Sequence, residues 1–376
     1  MAWPGDRDSD RKHLSGREVE RLIEATKGSA LPGACRVKSR TVSMPTIINE
    51  KPSLPTLWVD TAVGIKLAKI QQGEAVQDIE KCRMVKLKEL VVKLARGCKL
   101  LCPEGEQEWE YWGERLDDKI AKEFAALSRG IRMLPHQAVH DSQLFIAMEA
   151  YVNGDVEFRL PSGIYFHTDP ILELQKISQQ RVFVSAHGLP PMLLEMGNDS
   201  RKDMYKHLEE LRCENIARHR NYSGQLALEQ RAFVNAMVDF ARSFQRRLRT
   251  GDTKPWEFLA VQGYEAYFRR WHRLTNKWGD WDGLCNFLAS DHFCELPVVK
   301  ISSQLHAKLV TDNRPIESGD SMDVKHLSLA IPLAHFVLTD RKMANRITAL
   351  GIDKEWNTNV FSESTIDSLF AELEKI

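Results

Sequence analysis

The run LWVD at 57–60, passing at once into TAVGIKLAKI at 61–70, limits the fold more than any other feature of the chain. Leu57, Trp58 and Val59 form a short apolar segment closed by Asp60, and Val63, Leu67 and Ile70 then recur at helical spacing. Strand, acid, helix is the grammar of an α/β protein, in which parallel strands are joined by covering helices. A second helix is expected from Glu74 to Arg96, with Ile79, Leu87, Leu90, Val91 and Leu94 inward and Gly97 as its C-cap. KLLCP at 99–103 then reads as another buried strand.

The same grammar returns near the C-terminus. The spacing predicts a helix over Asp323–Ala334, a strand over His335–Thr339, a helix over Arg341–Leu350, a short strand at Val360–Phe361 and a last helix over Thr365–Lys375. Between Lys119 and Val299 the pattern is mostly helical, broken by an expected hairpin at Val156–Phe166 turned by Pro161, Ser162 and Gly163. A chain of 376 residues has room for one core carrying such an insertion. The expected division is therefore an N-terminal helix and linker at 1–43, the first part of an α/β unit at 44–118, a helical insertion or cap at 119–299, and the second part at 300–376.

Hydrophobic residues make up 43% and charged residues 28%, which is globular usage, and the formal net charge is zero. Attraction to a polyanion must then come from a local patch. The chain has no apolar run long enough to span a bilayer and no signal-like N-terminus, so the expectation is a cytoplasmic protein with no membrane partner. Seven cysteines fit buried thiols in a reducing compartment, and neither Cys98 with Cys102 nor Cys285, His292 and Cys294 has the paired spacing of a zinc site.

Open parallel sheets form their sites outside the carboxyl ends of the strands. Asp60 ends LWVD and Asp340 ends HFVLTD; Asp323 opens a helix, and Glu106 and Glu110 follow the third strand in GEQEWEYWGERL. Each has a plain structural alternative: Asp60 as a helix N-cap, Asp323 as a favourable first-turn charge beside Asp320 or Ser318, Asp340 as a turn residue, and the glutamates as a solvated face.

Taken in order, these residues resemble the PIN-domain nucleases, whose fold is a parallel sheet flanked by helices with three or four carboxylates at one edge. The resemblance covers roughly residues 56–116 and 318–376. It departs from the commoner pattern in having Thr339 directly before Asp340 and nearly 200 residues between the second and third acids. It implies a metal-dependent endoribonuclease hydrolysing phosphodiester bonds by metal-activated water, with RNA, single-stranded, preferred to DNA, and 5′-phosphate and 3′-hydroxyl products. Asp60, Glu110, Asp323 and Asp340 would be the catalytic metal ligands, with Glu106 in reserve, and Thr61, Thr339 and Asp320 would support them by hydrogen bonds. An all-oxygen set suits Mg2+ or Mn2+.

A basic surface should bind the substrate. Arg242, Arg246, Arg247, Arg249, Arg269, Arg270 and Arg273 are interleaved with Tyr222, Tyr264, Tyr267, Trp271 and Trp278, so a clamp is expected here, although aromatics at this spacing also make cores. His219, His272 and His326 receive no role. The competing function is a non-catalytic PIN-like scaffold binding RNA or a partner protein; an inhibitor protein or a homo-oligomer stays open. A haloacid-dehalogenase reading of LWVD fails because Ala62 stands where a second aspartate is needed. Residues 11–28, an expected amphipathic helix, faintly resemble the opening helix of tyrosine recombinases, whose catalytic motifs do not follow.

Overall fold

The computed structural model describes residues 44–111, 116–178, 191–250, 255–277 and 280–376, and for Ser178, 191–200, 240–250 and 255–264 it describes the backbone path. The expected helix at 11–28 lies outside the described residues.

Three parallel strands form the centre. Leu57–Val59 (β2, after Thr46–Asn49, β1) pairs with Phe336–Leu338 (β4), which pairs in turn with Asn359–Phe361 (β5); the strand between, Glu157–Leu160, is β3. Trp58 lies opposite Val337, and Val337 opposite Val360. Because successive side chains leave a strand on opposite faces, this apolar run feeds two cores. Leu57, Val59, Phe336 and Leu338 pack with helices Thr61–Gln71, Asp78–Arg96, Asp117–Ser128 and Ile366–Leu373. Trp58 and Val337 face the other way, into helices Pro297–Leu309, Asp320–Leu333 and Arg341–Leu350. Gly64 lets helix Thr61–Gln71 lie against the ring of Phe124, which a Cβ at that position would strike.

Beyond β2 the sheet continues in single bridges. Thr56 bridges Leu101 and Glu104 bridges Arg132, both parallel. The segment expected as a strand at 99–103 is thus extended chain secured by Leu57 N–H to Leu101 O (2.8 Å) and Leu101 N–H to Pro55 O (2.9 Å). Across the sheet the order is 132, 101, β2, β4, β5. The chain moves outward in one direction from β2 and restarts on its other side at β4, which makes the β2/β4 junction a topological switch point.

The expected hairpin at 156–166 is not formed. Glu157–Leu160 pairs in parallel with β1, Thr46 opposite Glu157, while Ser162–Tyr165 is a 3-10 turn and Phe166 bridges Met133. Alternation in β3 buries Phe158 and Leu160, and the edge offered to them is a segment more than a hundred residues away. Leu144, Met148, Phe158, Tyr267, Trp271, Phe287 and Phe293 build the separate core of the helical region. Lys51 ties the N-terminal segment to the C-terminal half: its Nζ donates to Ala334 O (2.6 Å), Asn357 O (2.8 Å) and Thr358 Oγ1 (2.9 Å). No helix among the described residues is long and apolar enough to cross a membrane.

Candidate acidic site at the sheet switch point

Asp60 and Asp340 stand at the carboxyl ends of adjacent strands, and each caps the helix that follows. Asp60 Oδ1 accepts from Ala62 N–H (3.0 Å), and Asp340 Oδ1 from the N–H groups of Lys342 (2.6 Å) and Met343 (3.2 Å). The capping alternative is therefore realised in Asp60, and Asp340, for which a turn role was the alternative, is a helix cap as well. Capping occupies one oxygen of Asp60; the other accepts from Thr339 Oγ1 at 2.9 Å, across 279 residues of sequence. Strand register produces that contact, since Val59 lies opposite Leu338.

Glu110 comes from the single turn Glu108–Tyr111. Its Oε2 accepts from the Thr61 hydroxyl, and its Oε1 lies 3.6 Å from His326 Nδ1. Burial raises its carboxyl pKa, opposed by the Thr61 hydrogen bond and by the positive charges of Arg201 and Lys325. Asp60 is raised as well, by burial first and then by the charge of Glu110. Asp323, one turn into helix Asp320–Leu333, is pushed up to about 9 by burial together with repulsion from Asp60, Glu110, Asp340 and Asp320. Negative charges from both ends of the sequence therefore act on Asp323, an arrangement that favours protonation or a bound cation.

Two expected participants are otherwise engaged. Glu106 Oε2 accepts from His136 N–H (2.8 Å), anchoring the start of helix His136–Asn153, and contacts Lys325 Nζ at 3.1 Å. Asp320 is buried against Arg346 (3.3 Å) and receives Glu317 N–H (2.9 Å), although its charge still acts on Asp323. Of the two middle glutamates, Glu110 stands among the mutually repelling acids.

The expected clamp is corrected in part. Tyr267 and Trp271 are buried core residues, the latter bonded to Asp280 Oδ2 at 3.2 Å, and do not offer stacking faces. Arg269 pairs with Glu265, and Arg270 with Glu149 at 2.6 Å; Arg273 is exposed. The side chains of Arg242, Arg246, Arg247, Arg249 and Tyr264, with Trp278, lie outside the described residues. The cations that act on the acids are instead Arg201 and Lys325, which sequence reasoning missed. Lys325 follows Asp323 by two residues and was open to notice; Arg201 depends on how helix Pro191–Ala217 crosses helix Asp320–Leu333.

All the acids concerned are oxygen donors, which fits Mg2+ or Mn2+ in donor chemistry and charge. As they stand, no three His, Cys, Asp or Glu side chains among the described residues converge into a metal-holding group. His292 Nε2 is bonded to Asp155 O (2.9 Å) and Cys294 Sγ lies 3.7 Å from Gln230 O. Comparison of the chain with protein-family models, curated proteins and solved structures gave no match.

Proposed function

We propose that the protein is a Mg2+- or Mn2+-dependent nuclease with a PIN-like α/β unit, acting on single-stranded RNA in preference to DNA. The observation that supports the reading is that Thr339 bonds Asp60 and Thr61 bonds Glu110 beside the β2/β4 switch point, where the charges of these acids also act on the buried Asp323. Such a group costs stability in the bare protein, and a divalent cation would relieve that cost.

Asp60, Asp323 and Glu110 would hold the ion, with Asp340 beside them. When bound, the ion supplies Lewis-acid stabilisation and a more acidic water for attack on a phosphodiester. The chain's own residues orient the donors. Thr339 and the Ala62 amide fix the two oxygens of Asp60, Thr61 holds one oxygen of Glu110, and Lys325 and Arg201 supply positive charge beside the acids.

The test is cleavage of a labelled single-stranded RNA by the full chain with Mn2+, with EDTA, and with Asp60→Asn, alongside a single-stranded DNA of the same sequence. Asn can still accept the Ala62 N–H, so helix capping is retained. Metal-dependent cleavage that is lost in Asp60→Asn supports the nuclease. A second reading, a non-catalytic scaffold, is favoured by the lack of three convergent metal-ligating side chains among the described residues; RNA bound but uncut by wild type under every metal condition would establish it.

A further inference from the structure

His326 stands three residues, one helical turn, beyond Asp323 and is buried. Its Nδ1 faces Glu110 Oε1 at 3.6 Å, while the Thr61 hydroxyl is bonded to the other oxygen of the same carboxylate. Its Nε2 is buried without a hydrogen-bond partner among the described residues. The ring is tilted against Trp58 with centroids 6.2 Å apart, and the main-chain carbonyl of Glu106 also acts on it.

A buried ring nitrogen with no partner is costly and calls for a reason. An apolar ring would fill the space beside Trp58 without that cost. What an apolar ring could not do is present an N–H toward Glu110.

We infer that His326 is a positioning residue: through Nδ1 it shares with Thr61 the task of orienting the Glu110 carboxylate toward Asp60 and Asp323 for a divalent cation. The inference rests on the nuclease reading above.

Side-chain geometry provides the test. An Asn amide reaches the level of Nδ1, a Gln amide that of Nε2, and Phe keeps the ring and loses both nitrogens. Mn2+ affinity of the full chain, measured by calorimetry without nucleic acid, is expected to stay within about threefold of wild type in His326→Asn and to weaken about tenfold in His326→Gln and His326→Phe, in line with partners that orient metal ligands. In a Glu110→Gln background, His326→Phe should cost nothing further, because the group it orients is no longer a ligand.

Undiminished Mn2+ binding in His326→Phe, Gln outperforming Asn, or a full additional loss in the Glu110→Gln background would each overturn the role. Should the Phe variant fail to fold by circular dichroism, the order of Asn and Gln decides. Wild type that binds no Mn2+ overturns the nuclease reading itself, and the role of His326 falls with it; wild type that binds while the variants come out in the wrong order overturns the role alone.

Discussion

At the carboxyl ends of β2 and β4, the charges of Asp60, Glu110 and Asp340 act on Asp323, while the Thr61 hydrogen bond and the charges of Arg201 and Lys325 oppose the rise of Glu110. Along helix Pro255–Thr275, by contrast, Arg269 and Arg270 each meet a glutamate, and Tyr267 and Trp271 turn inward. Both regions look charged and purposeful in one dimension. Among the described residues, the first gathers acids whose carboxyl pKa values rise together, while the second pairs Arg269 and Arg270 with carboxylates.

Removing one acid should have the largest effect. Asp60→Asn is expected to lower Mn2+-dependent RNA cleavage at least ~100-fold, about 2.7 kcal/mol of barrier, with circular dichroism unchanged. If the variant cleaves like wild type, the switch point is an ordinary pair of helix caps.

On the other side of the comparison, Trp271→Ala should leave the acidic end alone and cost about 3–5 kcal/mol of stability, since the indole is buried beside Tyr151 and Phe287. Urea denaturation measures it. A loss of RNA affinity with stability unchanged would instead restore Trp271 to a stacking surface.

Most of the α/β frame was legible because its signals are local. Apolar spacing alone located helices Thr61–Gln71 and Arg341–Leu350 to within a residue, and Asp60 announced its own cap. What was not legible depends on distant partners. β3 looked like half of a hairpin because alternation shows that a strand has a buried face without showing which edge it pairs with. The segment at 99–103 has strand composition but only a bridge's worth of pairing. The aromatics at Tyr267 and Trp271 have the spacing of either a core stripe or a stacking platform, and the neighbours that choose between them, Asp141 and Asp280, belong to other elements. In the acidic set, order in the sequence singled out Asp60, Glu110, Asp323 and Asp340 with Glu106 in reserve; that His136 and Lys325 engage Glu106 depends on distant elements and was not legible.

A gentler experiment sharpens the electrostatic side. Asp323 has a folded pKa of about 9 against an ordinary value near 4, so between these pH values the folded state holds a proton that the unfolded state has released. Stability of the metal-free protein should fall as pH rises through that window, with the full penalty above pH 9. Asp323→Asn should flatten this slope, to which the raised Asp60 and Glu110 also contribute, and is expected to stabilise the metal-free protein at pH 8 by on the order of a few kcal/mol. Thermal melts at pH 5 to 9 check the direction. Mn2+ should raise the melting temperature of wild type and have less effect on the variant. A variant less stable than wild type at pH 8 would mean that the charge on Asp323 is already compensated.

The smallest expected effect lies in the helical region. Arg270 and Glu149 form an ion pair at 2.6 Å in which both side chains reach solvent, the arginine 35% and the glutamate 54% exposed. Such pairs contribute about 0–1 kcal/mol, because solvent screens the attraction and holding two long side chains costs entropy. Arg270→Ala should therefore change the unfolding free energy by less than about 0.5 kcal/mol. An arginine occupied by a neighbouring carboxylate should also release little counterion on meeting RNA, so the slope of log affinity against log salt should match wild type. A residue that contacts phosphate lowers that slope by about 0.7 for a single strand. A decrease of that size in Arg270→Ala would mean that the arginine exchanges Glu149 for the substrate, and would bring the helical region back into the nucleic-acid surface.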